Sequence, residues 1–279
     1  MPAIPLPIAA LAAASHVAPT LVAPFFRRMM LKPRRHVSAP PAHALRAADA
    51  RLDLADGLAA WRWGSGPVVL LAHGFEGSPR QFGALIEALV ARGYAAVALD
   101  MPAHGASVGS EASPASFARA VDQALGALGP VHAIVGHSLG AAASLHTVAQ
   151  RGGVGRIALI SSPSALERVL RGFAGALKLS RRGADAFIAS VERQVGQPAA
   201  DFDVKRIAPL LALPILLIHD QNDRQVPVIE AARAAHMLPG AELLVTRGLG
   251  HNRLLADPTV VNAVVEFVAQ EMIGSTCTM

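Results

Sequence analysis

A serine near the middle of this chain, and a histidine and two aspartates further on, have the types and positions that nucleophilic catalysis needs. Ser138 stands in Gly136-His137-Ser138-Leu139-Gly140, directly after the apolar run Val131 to Val135 and at the head of a small-residue helical pattern. A serine on such a strand-turn-helix elbow is held in a crowded backbone conformation, and flanking glycines leave room for neighbouring segments to approach. The helix N-terminus favours negative charge at the same point. A glycine-rich turn with a helix-capping serine is the plainer reading of the string, but its place after a buried strand favours a nucleophile.

A serine hydroxyl attacks only when a base removes its proton, and the base needs a third group to hold its tautomer. Among the 11 histidines, His251 in Gly248-Leu249-Gly250-His251-Asn252 alone sits in a loop between the final strand and the final helix, placed to reach over the sheet edge. Asp223 lies in the loop after the preceding strand and offers a carboxylate to the imidazole; Asp220, nearer the strand end, is its rival. Loop placement favours Asp223.

Acyl transfer also needs donors for the oxyanion, commonly one amide from the residue after the nucleophile and one from a loop after an early strand. Leu139 supplies the first, and Phe75 in His73-Gly74-Phe75-Glu76-Gly77 is the natural source of the second. His73 is expected to brace that loop by hydrogen bonds. Glu76 would oppose an oxyanion unless it faces solvent or pairs with a base such as Arg80.

The elements that must position these groups follow from the hydrophobic pattern. From Val68 onward short apolar runs alternate with longer helical patterns, the signature of β-α-β units and a mostly parallel sheet covered on both faces. Strands are expected at Val68 to Ala72, Ala95 to Leu99, Val131 to Val135, Arg156 to Ile160, Pro214 to His219 and Glu242 to Thr246. Leu58 to Trp63, preceded by a short strand near Leu52, gives the sheet an antiparallel start. Ser78-Pro79, Ser113-Pro114 and Asp257-Pro258 read as helix starts, Ser78 with a capping box to Gln81. Residues 162–208 interrupt the alternation with helical patterns only, and apolar Phe173, Leu177, Phe187 and Ile188 there are candidates for lining a substrate pocket at the carboxyl edge of the sheet.

The chain of 279 residues is 52% hydrophobic and 16% charged, enough to bury a large core. Its single cysteine, Cys277, excludes a disulfide framework and cysteine-rich metal sites, and nothing points to an oxidising compartment. A cytoplasmic protein is expected. Residues 1–48 form a basic and apolar N-terminal arm, with 49–279 as the main domain. The arm carries Arg27, Arg28, Lys32, Arg34, Arg35 and Arg46 and no acid, so the +5 net charge resides there and the body is close to neutral. That distribution argues against nucleic-acid binding. Met1 to Phe26 lacks charge, but Pro5, Pro7, Pro19 and Pro24 interrupt it and the positive cluster follows the apolar stretch, the reverse of a signal peptide. Contact with an anionic membrane surface and packing on the domain are the two expectations for the arm, whose role should be separable from catalysis.

From about Trp61 to Phe267 the chain resembles the α/β-hydrolase family. The His-Gly-Phe loop is similar to its oxyanion loop, and Asp100-Met101-Pro102-Ala103-His104-Gly105-Ala106-Ser107 to its Asp-x-Pro-Gly-His-Gly-x-Ser turn, with Ala103 in place of the usual glycine. Gly136 to Gly140 resembles the nucleophile elbow, and Asp223-x-x-Val226-Pro227 and Gly250-His251 match the acid and base positions. The resemblance implies the α/β-hydrolase fold, a helical cap over the site near 162–208, catalytic Ser138, Asp223 and His251, and no cofactor or metal. His104 falls on a position that is structural in the family. The implied activity is hydrolysis of a small-molecule acyl ester through an acyl-enzyme. Thioesterase, lipase at a membrane surface and carbon-carbon bond hydrolase share these motifs, and a non-catalytic ligand-binding protein is the alternative of another class.

Overall fold

The computed structural model describes residues 5–34, 45–238 and 240–270. Arg35 of the arm's basic cluster and Cys277 lie outside them. Two helices come first, α1 (Leu6–Ala14) and α2 (Pro19–Leu31), each too short to cross a bilayer. Among the described residues no helix is long and apolar enough to do so. Strands β1 (Ala50–Leu54), β2 (Leu58–Trp63) and β3 (Val68–Ala72) follow, then α3 (Gly83–Ala91), β4 (Ala95–Asp100), α4 (Pro114–Leu128), β5 (Val131–His137), α5 (Leu139–Arg151) and β6 (Val154–Ile160). Between β6 and β7 lie α6 (Leu166–Ala176), α7 (Arg181–Val195) and the short α8 (Val204–Ile207). After them come β7 (Ile215–Asp220), α9 (Ile229–Met237), β8 (Glu242–Thr246), the one-turn α10 (Gly250–Arg253) and α11 (Pro258–Ala269).

The strands form one eight-stranded sheet in the order β1-β2-β4-β3-β5-β6-β7-β8. β2 runs antiparallel to β1 and β4, and the remaining pairs are parallel. Because successive strand side chains point to opposite faces, each central strand feeds two cores. Leu70 and Ala72 of β3 join the core with Phe117, Val121, Leu145 and Val148 of α4 and α5. Val69 and Leu71 join the other, against Leu85, Ile86 and Leu89 of α3 and Val260, Val264 and Val268 of α11. The fold is thus the expected α/β architecture, with helices on both faces.

Local signals act as their chemistry dictates at two of the three helix starts. The Ser113 hydroxyl accepts the Ser116 N–H in a reciprocal capping box, and the Asp257 carboxylate accepts the N–H groups of Thr259 and Val260. At the third, Pro79–Phe82 forms a 3-10 turn and the α-helix begins only at Gly83, so the expected Ser78–Gln81 capping box gives way to a tighter turn.

Candidate active site

β5 ends at His137, and Ser138 makes the turn into α5 with φ 54 and ψ −120, a conformation that costs a non-glycine residue about 1–3 kcal/mol. The turn is held from both sides: the Ser138 N–H donates to the Ile160 carbonyl of β6 at 2.9 Å, and the N–H groups of Ala141 and Ala142 donate to the Ser138 carbonyl. Space is the second requirement. A Cβ on Gly140 would stand 2.3 Å from the Ala72 carbonyl oxygen, and one on Gly74 2.8 Å from the Ser138 Cβ. The loop after β3 therefore lies directly against the serine, which brings Phe75 and Leu139 into the lining of the same cavity as Ser138 and His251.

His251 lies in the first turn of α10, and its Nδ1 is 2.7 Å from Oδ2 of Asp223. Asp223 is a buried carboxylate: burial pushes its pKa up, but the hydrogen bond from His251 and the N–H groups of Val226 and Gln225 outweigh it and keep the group ionised. That arrangement fixes His251 with a proton on Nδ1, leaving Nε2 as the basic atom.

Asp220 does different work. Its carboxylate accepts from the N–H groups of Asn222, Leu249 and Gly250 and from the Thr246 hydroxyl, so it ties the loop that carries His251 to the end of β7. Burial raises its pKa, and those donors more than reverse the effect, to about 2.

Four more histidines are buried around the site. His137 donates from Nε2 to the His251 carbonyl at 2.9 Å, and His219 from Nε2 to the Val226 carbonyl at 2.7 Å, bracing the base and the acid loops. His73 donates from Nδ1 to the Gly74 carbonyl and accepts the Met101 N–H on Nε2, as its bracing role requires. His104 donates from Nδ1 to the Pro102 carbonyl and accepts the Glu76 N–H on Nε2. Burial lowers the pKa of His73 and of His137 to about 3, with the adjacent His104 and His251 adding to it.

The cavity is roofed by Pro163, Leu166, Val169 and Leu170 before and on α6, by Val191 and Val195 of α7, and by Phe202. None of Phe173, Leu177, Phe187 and Ile188 is in that lining. Phe173 and Phe187 stack on each other with centroids 5.4 Å apart, and Phe187 and Ile188 are buried in the core that also holds Phe26 of α2. The physical reason is longitudinal: the cavity meets the first turns of α6 and the last turns of α7, whereas the aromatic pair lies toward their other ends. Helical periodicity identifies an apolar stripe but not which end of it faces the site.

The arm is not apart from the site in space. Met30 and Leu31, from the end of α2, line the cavity, and Arg34 pairs with Glu76 beside Phe75. Neither contact has a local signal in the sequence.

Comparison with known proteins bears on this geometry. Residues 67–198 match the family described as alpha/beta hydrolase fold, and 191–277 match one described as TAP-like protein. The chain is 31% identical to the pimeloyl-[acyl-carrier protein] methyl ester esterase of Xanthomonas campestris pv. campestris, over 74% of this chain and 96% of the relative. Among solved structures, mouse alpha/beta hydrolase domain-containing protein 10 superposes with a TM-score of 0.62 at 18% identity, covering 78% of this chain and 96% of its own. An esterase of Pyrococcus furiosus superposes with a TM-score of 0.60 at 23% identity, covering 85% and 96%.

Proposed function

This chain belongs to the α/β-hydrolase family, and on that premise we propose that it is a serine hydrolase of carboxylic esters in which Ser138, His251 and Asp223 carry the chemistry. The observation that carries the reading is the His251–Asp223 hydrogen bond of 2.7 Å on a cavity that also contains Ser138 at the elbow. His251 Nε2 takes the Ser138 proton as the oxygen attacks the ester carbonyl, and Asp223 stabilises the imidazolium that forms. The amides of Phe75 and Leu139 receive the oxyanion, and His251 then returns its proton to the departing alkoxide. Water, activated by the same imidazole, releases the acid and restores the serine.

The lining favours an uncharged acyl chain, since Leu31, Leu166, Val169, Leu170, Val191 and Val195 form much of its wall, while Glu192, its one carboxylate among the described residues, accepts the Ala199 N–H and disfavours an anionic chain. The similarity to an esterase of an acyl-carrier-bound methyl ester agrees with an acyl ester substrate. Labelling with a fluorophosphonate, followed by a panel of p-nitrophenyl esters and acyl thioesters, tests the reading and separates esterase from thioesterase. A wild-type protein that neither labels nor hydrolyses any of them is a ligand-binding member of the family.

Membrane contact is the finer part of the proposal. Val17, Leu21 and Phe25 recur every fourth residue and are 86%, 81% and 44% exposed, and Arg28 and Lys32 follow them on the exposed side of α2. An exposed apolar stripe leading into cations suits an anionic lipid surface. Co-sedimentation with anionic liposomes, weakening as salt rises, is the expected outcome; no sedimentation with liposomes at low salt would remove membrane contact from the reading.

A further inference from the structure

The inner side of the N-terminal hairpin is built into the site rather than laid on it. α2 packs along α7 with Phe26 fully buried, and the Arg27 guanidinium donates to the Ser190 hydroxyl. At the hairpin's turn, the Ser15 hydroxyl accepts the Ser180 N–H at 3.0 Å and the Ser15 carbonyl accepts the Ser180 hydroxyl at 2.8 Å. At the other end the Leu31 carbonyl accepts the Ala112 N–H at 2.7 Å, which fixes Met30 and Leu31 in the cavity wall. Arg34 then reaches Glu76 with its backbone N–H at 2.9 Å and with Nε and Nη2 at 3.0 Å each, a chelate of the carboxylate by one residue.

Glu76 is the residue after Phe75, in the left-handed region at φ 56, with its N–H on His104. An uncompensated carboxylate at that point would raise the energy of the oxyanion that forms only in the transition state. A planar guanidinium set against both carboxylate oxygens cancels that charge and fixes the loop at once.

We propose that the N-terminal hairpin is a working part of the active site, in which Met30 and Leu31 are specificity-determining walls of the acyl pocket and Arg34 is a positioning residue that neutralises Glu76 beside the oxyanion donor. The proposal rests on the reading of Ser138 as the nucleophile. Arg34→Ala is expected to lower kcat by about 3- to 10-fold with little change in KM, because the charge it cancels matters only once the oxyanion forms. Arg34→Lys keeps the charge and should retain most of the rate.

Arg34→Ala combined with Glu76→Gln is the decisive variant. Removing the carboxylate as well should recover kcat above that of Arg34→Ala alone, whereas a pair that merely ties the chain down gives a double variant no better than the single. For the wall, Met30→Trp should reduce the ratio of decanoate to butyrate p-nitrophenyl ester hydrolysis by about 10-fold. The same substitution in a Ser138→Ala background should weaken decanoate binding, measured by calorimetry without turnover. If Arg34→Ala keeps full kcat, if the double variant fails to recover, or if Met30→Trp leaves both chain-length ratio and decanoate binding unchanged, the proposal is overturned. A wild-type protein that does not label with fluorophosphonate defeats the reading of Ser138 and Arg34's role with it, while decanoate binding still judges the wall.

Discussion

His251 Nδ1 and Asp223 Oδ2 meet at 2.7 Å across 28 residues of chain, and the contact depends on two loops that are separately anchored. Asp220 holds the loop carrying His251 through N–H groups of Leu249 and Gly250, and His219 holds the loop carrying Asp223 through the Val226 carbonyl. The two aspartates, three residues apart, therefore have distinguishable jobs.

Asp223→Asn is expected to lower kcat by up to about 10⁴-fold, because an amide can no longer hold the His251 tautomer or stabilise the imidazolium. Asp220→Asn removes acceptors for several N–H groups instead, so its main effect should be a lower melting temperature with a smaller loss of kcat. Thermal denaturation alongside steady-state kinetics checks the pair of expectations; a larger kcat loss in Asp220→Asn would reverse the roles.

α6 and α7 offer a similar contrast between lining and packing. Val169→Phe or Leu170→Ala, in the cavity wall, should change the ratio of kcat/KM between long and short esters. Phe187→Ala should leave that ratio alone and cost about 3–5 kcal/mol of stability, since the ring is fully buried against Phe173. Measuring chain-length profiles and denaturant midpoints on all three variants decides the matter.

Ala103 and Gly105 occupy the turn after β4 with φ 66 and φ 48. A Cβ on Gly105 would stand 2.2 Å from the Asp100 carboxyl, which accepts the N–H groups of Trp61 and Ala106. Gly105→Ala should therefore destabilise by more than about 2 kcal/mol. Ala103→Gly relieves about 1–2 kcal/mol of left-handed strain but loses a buried methyl and loosens the unfolded chain, so it should be close to neutral. Urea midpoints for the two variants give the comparison.

Acid should unfold the protein in two stages. His73 and His137 have native pKa values near 3 against an unfolded value of about 6.5, so the unfolded chain takes up their protons first. The stability held by their neutral forms is complete above about pH 6.5 and declines as pH falls toward 3, by up to about 1.4 kcal/mol per pH unit for each ring. Asp220, and Glu230, which is buried but accepts the N–H and hydroxyl of Ser164 and the Arg168 guanidinium, are each held at about 2 and begin to lose their contribution only as pH falls below about 4–5. Urea midpoints measured from pH 7 to pH 4 should fall steadily, and the fall between pH 6 and 4.5 should shrink in His137→Gln.

Much of this was written into the chain locally. The apolar runs that became β3 and β4 read as strands because both their faces are buried, and Ser113 and Asp257 announced their helices with caps. Ser138, His251 and the aspartates stood out because strand ends and loops are where such side chains can converge. What was illegible depends on tertiary register. Phe173 and Phe187 share an apolar stripe with the residues that do line the cavity, and only the depth of α6 and α7 over the sheet separates them. Arg80, close in sequence, was the natural partner for Glu76, while the structure pairs it with Arg34 across 42 residues. Met30 and Leu31 join the cavity for the same reason: packing of α2 on α7 decides it, and no local spacing encodes that.

The central claim is that Ser138 is an activated nucleophile served by His251 and Asp223. Mass spectrometry of the intact protein and its tryptic peptides after fluorophosphonate treatment tests it most directly, on wild type, Ser138→Ala and His251→Ala. The account requires one adduct on the peptide carrying Ser138 in the wild type, none in Ser138→Ala, and labelling slowed by orders of magnitude in His251→Ala with the fold retained. An adduct on another residue, or ester hydrolysis undiminished in Ser138→Ala, would contradict it.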